Sequence, residues 1–197
     1  MGFTVLDAES LEKGISFHRP DHTGSRKVDL DSEALEVMTD FKRISAVTIG
    51  PNETIDEANE KMKTRGVRLL LVVDVHEAIL GLITTPDIQG EKPVQYLHDN
   101  GGKREDIRVR DIMVPQSRLQ VLTIQAASSA KVGDVVETLR SLKRQHAVVV
   151  DHQGPGGKRT IRGLFSLNQI ARQLGINIQT YEMAHTLSEI AHAMTPR

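Results

Sequence analysis

Apolar positions along this chain gather in short runs rather than in long periodic stretches. The densest is Leu69-Leu70-Leu71-Val72-Val73, five apolar residues in a row, a pattern suited to a strand buried on both faces. Ile79 to Ile83 makes a second run, interrupted only by Gly81. At Thr84-Thr85-Pro86-Asp87 a hydroxyl can cap and a proline can sit in the first turn, so a helix is predicted to begin there. A strand that delivers its carboxyl end into a helix start leaves free backbone N–H groups at a cleft edge, the first place to look for a small-molecule site.

Weaker signals frame this stretch. Residues 1–30 are polar and rich in turn formers, and they read as an arm without its own core. Leu30 to Met38 has the apolar spacing of a short helical turn, and Ala46 to Ile49 reads as a strand ended by Gly50-Pro51. Thr54-Ile55-Asp56-Glu57 is a capping box, opening a helix with Ile55, Ala58 and Met62 on one stripe and a stop at Gly66. Val94 to His98 can make a further helical turn, and Asn100-Gly101-Gly102-Lys103 is the best linker candidate.

The same order then returns. Val37-Met38 has a counterpart in Ile112-Met113, 75 residues on. The Thr54 helix returns as Lys131 to Arg144, with Val132, Val135, Val136, Leu139 and Leu142 on its stripe. Leu71 to Asp74 returns as Val148 to Asp151 at an offset of 77, and Gly81 to Thr84 as Gly163 to Ser166 at an offset of 82. Slippage falls in two segments read as loops, Ser117 to Ala130 and Asp151 to Ile161. Ordered anchors with slippage confined to loops indicate a tandem duplication. Beyond Gly175, the residues Met183, Leu187, Ile190, Ala191 and Met194 trace a helical stripe that must bury against the core or a second copy of the chain.

Composition narrows the function classes. The 197 residues hold 25 Lys+Arg against 26 Asp+Glu, so no global field draws the chain to nucleic acid or to an acidic membrane. An aromatic content of 3% without Trp argues against a base-stacking surface, and zero cysteines removes thiolate nucleophiles and Cys-based zinc sites. No leader-like or membrane-spanning apolar run is present, so a cytoplasmic protein is expected. The eight histidines fall in no metal-ligating spacing, Gly157-Lys158 lacks the P-loop pattern, and no nucleophile, base and orienting group share one motif. No metal site is expected, and no enzyme.

With Met38-Thr39 and Asp111-Ile112-Met113-Val114-Pro115 as leading motifs and Leu69–Ile88 as the diagnostic segment, the duplicated unit resembles the cystathionine-β-synthase (CBS) domain. The resemblance covers about Leu35 to Leu174. It implies an α/β fold of two β-α-β-β-α repeats packed as one pseudo-two-fold module. The expected divisions are an N-terminal arm at 1–30, repeats at 31–100 and 101–175, and a C-terminal helix at 176–197. It further implies a stand-alone regulatory module that binds an adenosine nucleotide, with AMP the expected ligand, forms a homodimer and signals to a partner in trans. An interaction or dimerisation scaffold with ligand-free clefts is the competing reading.

Carried over residue by residue, the resemblance assigns one ligand site to the first repeat: Thr39, Val67 and Leu69 around the base, Arg68 on a phosphate or stacked on the base, Thr84 and Asp87 on the ribose hydroxyls. Thr84 and Asp87 also fit plain helix capping, and Arg68 also fits a solvated strand edge. The second repeat departs from the pattern, with Val114 in place of Thr39 and Gln169 in place of Asp87. There Ser166 and Gln169 read as a capping box, while Ser166 and His146 are candidates for a second or phosphate site.

Overall fold

A computed structural model describes residues 28–152 and 159–175. The N-terminal arm up to residue 27, the glycine-rich segment at 153–158 and the expected C-terminal helix lie outside the described residues.

Each half of the chain builds a four-stranded sheet, and each sheet borrows an edge strand from the other half. The first half supplies β1 (Thr39–Asp40), β2 (Thr48–Ile49), β3 (Leu69–Val73) and β4 (Ile79–Thr84). The second supplies β5 (Val114–Pro115), β6 (Val121–Thr123), β7 (His146–Asp151) and β8 (Thr160–Ser166). The strand orders are β2-β3-β4-β5 and β1-β8-β7-β6. Thus β1 leaves its own repeat to pair antiparallel with β8, and β5 pairs antiparallel with β4. Within each sheet β2–β3 and β6–β7 are parallel, while β3–β4 and β7–β8 are antiparallel.

The seven α-helices of the described residues cover the outer faces. They are α1 (Ile55–Arg65), α2 (Thr85–Gln89), α3 (Lys92–Asn100), α4 (Val109–Ile112), α5 (Ile124–Ser129), α6 (Val132–Ser141) and α7 (Leu167–Gln173). At α1 the box closes as its sequence requires: Glu57 Oε2 accepts from the Thr54 backbone N–H at 2.7 Å, and Thr54 Oγ1 accepts from the Glu57 N–H at 3.1 Å. Gly66 ends the helix at φ 64°, a left-handed value that suits glycine.

Alternation within the apolar runs explains why they carry no polar residue. Leu70, Val72 and Ile83 point outward into a core with Ile55, Ala58 and Ile88, whereas Leu69, Leu71 and Leu82 point inward and meet Val148 of the other sheet. Exchange extends to the helices. Val109 and Ile112 of α4 are buried in the core of the first sheet, and Ala34 and Val37, from the 3₁₀ turn Ala34–Val37, are buried in the core of the second.

Two expectations are corrected. Ser117 to Ala130 is not a plain loop: it holds β6 and α5, with Thr123 capping through an N–H···O bond from Ala126 at 3.1 Å. A six-residue helix carrying one buried residue, Ala127, leaves no apolar stripe to read. The Val94–His98 turn is a longer helix, α3, because Pro93 occupies its first turn and Gly101 stops it.

Candidate functional site

Two clefts flank the line where the sheets meet. The first lies between β2 and β3 on one side and the β8–α7 junction on the other; the second lies between β4 and β5 and the start of β7. Their volumes are nearly equal, about 180 and about 190 Å³, so chemistry rather than size distinguishes them.

Strand exchange divides the six residues expected in one site. Thr39, Val67, Arg68 and Leu69 line the first cleft, where they meet Ser166 and Gln169 of the second repeat. Thr84 and Asp87 line the second cleft, where they meet Val114, Gln145 and His146. Leu69 and Thr84 are register partners across β3 and β4, yet β3 borders one cleft and β4 the other. Thr39 follows β1 onto β8, which takes it away from Asp87 and to Gln169. His146 alone of the expected residues lines both clefts.

In the first cleft the Thr39 hydroxyl donates to Gln169 Oε1 at 2.9 Å. This replaces the expected capping box: Ser166 stands at the N-cap of α7 without a side-chain capping bond, because Gln169 turns across the cleft to the exchanged strand. Arg68 and Arg172 are both exposed on this cleft, and among the described residues its lining holds no Asp or Glu.

The second cleft holds a carboxylate. Asp87 Oδ2 accepts from the Thr84 N–H at 2.8 Å and from the Thr84 hydroxyl at 2.7 Å, the capping arrangement its sequence suggested. Asp87 Oδ1 pairs with Lys92 Nζ at 2.7 Å, and Lys92 also donates to the Ile112 carbonyl at 2.9 Å. An ionised carboxylate offers about four acceptor positions, so one on Oδ1 remains after these three contacts. Lys143 and Arg144 stand opposite, at the end of α6. Lys143 takes φ 51°, the left-handed position that Gly66 holds in the first repeat.

His146 sits between the two. Burial, reinforced by the Arg68 charge and opposed by Asp87, pushes its imidazole down to about 4, so it is neutral near pH 7.

Sequence reasoning missed Lys92, Lys143, Arg144 and Arg172. For Lys143 and Arg144 a signal existed: at the offset of 77 they are the counterparts of Gly66 and of the chosen Val67, which directly precede Arg68. Among the described residues no group of three or more His, Asp or Glu side chains is placed to hold a metal ion, and no helix is long and apolar enough to cross a membrane.

Comparison with known proteins accords with this architecture. Residues 34–91 match the family model of the CBS domain. No curated protein matches the chain. Among solved structures, a conserved protein from Pyrococcus horikoshii has a similar fold, with a TM-score of 0.54 at 20% identity, over 78% of this chain and 100% of that one. A CBS-domain-containing protein from Agrobacterium tumefaciens gives a TM-score of 0.50 at 17% identity, over 70% and 93% of the two chains. A conserved CBS-domain protein from Thermoplasma acidophilum gives 0.50 at 18% identity, over 80% and 78%.

Proposed function

We propose that this chain, a CBS-domain protein with the matched domain at residues 34–91 and the same fold repeated in its second half, is a regulatory module that binds an adenosine nucleotide and is not an enzyme. The observation that carries the reading is the composition of the second cleft, where one carboxylate, Asp87, faces the cations Lys143 and Arg144. A nucleotide needs an acceptor for its ribose hydroxyls and cations for its phosphate. Asp87 keeps an acceptor position for the first task, and the two cations serve the second. Leu82, Val114 and Val148 supply apolar surface for the base. The ligand therefore moves from a site within the first repeat to one built by both. With AMP as the ligand, regulation acts in trans through different affinity for two arrangements of the module.

Thermal shift with AMP, ADP, ATP and S-adenosylmethionine tests this. A ligand at 100 times its Kd adds about 2.7 kcal/mol of stability. Asp87→Asn should weaken AMP binding about tenfold or more, the loss of one charge-assisted hydrogen bond. A shift that Asp87→Asn leaves unchanged would remove Asp87 from the site. One observation favours a ligand-free interaction scaffold instead: Thr84 and Lys92 already engage Asp87 with no ligand bound. Absence of any shift with all four compounds would support that reading. Homodimerisation is part of the proposal, and sedimentation of the full chain tests it.

A further inference from the structure

The rim of the first cleft leaves a large apolar side chain in water. Phe41, Val47 and Leu164 are half-buried there, and Ile44 is 55% exposed. Of the large hydrophobics exposed among the described residues, Ile44, Val75 and Val94, only Ile44 borders either of the two clefts. Two cations stand around this surface. Arg68 and Arg172 reach it from the two repeats, and among the described residues neither guanidinium enters a hydrogen bond or an ion pair. With no Asp or Glu among the described lining residues, the groove is apolar and its edge carries uncompensated positive charge.

The segment that follows α7 has the complementary character. Arg172 lies on α7, and one turn later Gly175 takes φ 73°, a left-handed value that turns the chain off the helix axis. Residues 176–197 continue from that point, and their sequence holds the helically spaced stripe Met183, Leu187, Ile190, Ala191 and Met194. Glu182 and Glu189 each directly precede a stripe residue, so at helical spacing both fall on one flank of the stripe, about 10 Å apart. Arg197 is the only Lys or Arg of the segment. The seven residues from Gly175 to Glu182 reach up to about 24 Å, enough to bring the stripe back over the groove that Arg172 borders. An apolar stripe edged by acid matches an apolar groove edged by base, the pairing used when a helix lies in a groove.

We propose that the first cleft is the docking groove for this chain's own segment 176–197, with the stripe laid over Ile44 and Leu164 and with Glu182 and Glu189 facing Arg68 and Arg172. The occupied groove buries the apolar side chains that both parts otherwise leave to water. Access to the first cleft is then conditional on release of the segment, and the exposed ion pairs make that release easier at high salt. This inference does not rest on the function proposed for the second cleft.

Disulfide trapping in the full chain tests it, and the absence of native cysteine leaves no background. A disulfide forms only where two Cα atoms come within about 7 Å. Ile44→Cys/Leu187→Cys should give a cross-link of monomer mass at a rate independent of protein concentration. The control Val94→Cys/Leu187→Cys, with Val94 exposed on α3, should cross-link at least about tenfold more slowly. Adding Glu182→Lys/Glu189→Lys to the Ile44 pair should slow trapping about fivefold, and adding Arg68→Glu/Arg172→Glu to that variant should restore the rate. Equal rates for the two pairs, or no cross-link from Ile44, would overturn the proposal. A cross-link of dimer mass would overturn it in favour of a second copy as the occupant. A charge reversal without effect, or one that the reciprocal reversal leaves unrestored, would remove the arginines from the contact and overturn it as stated.

Discussion

Gly81 and Gly163 occupy equivalent positions in the two repeats, and the structure gives both the same reason to lack a side chain. A Cβ on Gly81 would collide with the Val114 carbonyl, and one on Gly163 with the Thr39 carbonyl. Both obstacles are backbone of an exchanged strand, which cannot swing aside as a flexible side chain could. Gly163→Ala should therefore destabilise the protein by about 1–3 kcal/mol, read as a lower urea midpoint at unchanged slope. His146 makes a second prediction at this scale. Its folded value of about 4 lies below the ordinary 6.5, so the unfolded chain takes up a proton that the folded one refuses. Between those values the unfolded state binds more protons, and stability falls as pH drops from about 6.5 to about 4. The first repeat carries Leu69 at this place, and Leu69 is buried. His146→Leu should remove that part of the pH slope, measured by urea unfolding at pH 7, 6, 5 and 4. An unaltered slope would assign it to other groups.

The exchanged strands β1 and β5 have two residues each, too short to be held by backbone hydrogen bonds alone. On β1 a side chain completes the hold: Arg162 donates to both carboxylate oxygens of Asp40 at 2.8 Å, and Asp151 lies 3.9 Å from the same guanidinium. The Arg162 fork holds the Asp40 carboxyl well below the usual carboxylate range. Its contribution is present above pH ~4 and is lost as pH falls further, a window below that of His146. Asp40→Asn should cost about 1.5–3 kcal/mol at pH 7 and much less near pH 2, measured by chemical denaturation. At the pseudo-symmetric places the first repeat has Leu80 and the second Pro115, so this clamp has no counterpart on β5. The same elements show what sequence could and could not reveal. The strands and helices that build the two cores were legible, because Leu69–Val73 and the Thr54 box carry local signals of burial and capping. The duplication was legible in the recurring Val-Val-Asp and Gly-hydrophobic motifs. Exchange was not, because β1 pairing within its repeat or across to the other leaves an identical sequence pattern. That one ambiguity divided the expected site. Thr39 and Asp87 share one expected site because the resemblance carries over motifs repeat by repeat, whereas β8 draws Thr39 to Gln169.

At the scale of the molecule, exchange makes the two repeats interdependent. The core under the first sheet includes Ile107, Val109 and Ile112, all contributed from beyond the Gly101-Gly102 link. The core under the second includes Ala34 and Val37, contributed from before it. Two bridges repeat the arrangement at the helix starts, Thr54 with Arg108 and Glu33 with Lys131, so each long helix is tied at its N-terminus to the other half. Burying an aliphatic side chain contributes about 1.5–3 kcal/mol, and a domain of this size has a net stability of only about 5–15 kcal/mol. Losing three buried aliphatics and an edge strand from the first sheet would consume most of that margin. Expressed separately, residues 1–103 and 104–197 should each lack a cooperative urea transition by circular dichroism. Mixed at equal concentration, they should regain one, because each supplies the segment that the other core lacks. A sigmoidal transition in either piece alone would show that a repeat can close on itself. Both clefts would then have to be rebuilt from residues of one repeat, returning Thr39 to the neighbourhood of Asp87. The same mixing experiment with AMP present connects fold to ligand. Asp87 and Arg144 lie on different pieces, so a ligand bound by both should promote their association, and Asp87→Asn should weaken that promotion.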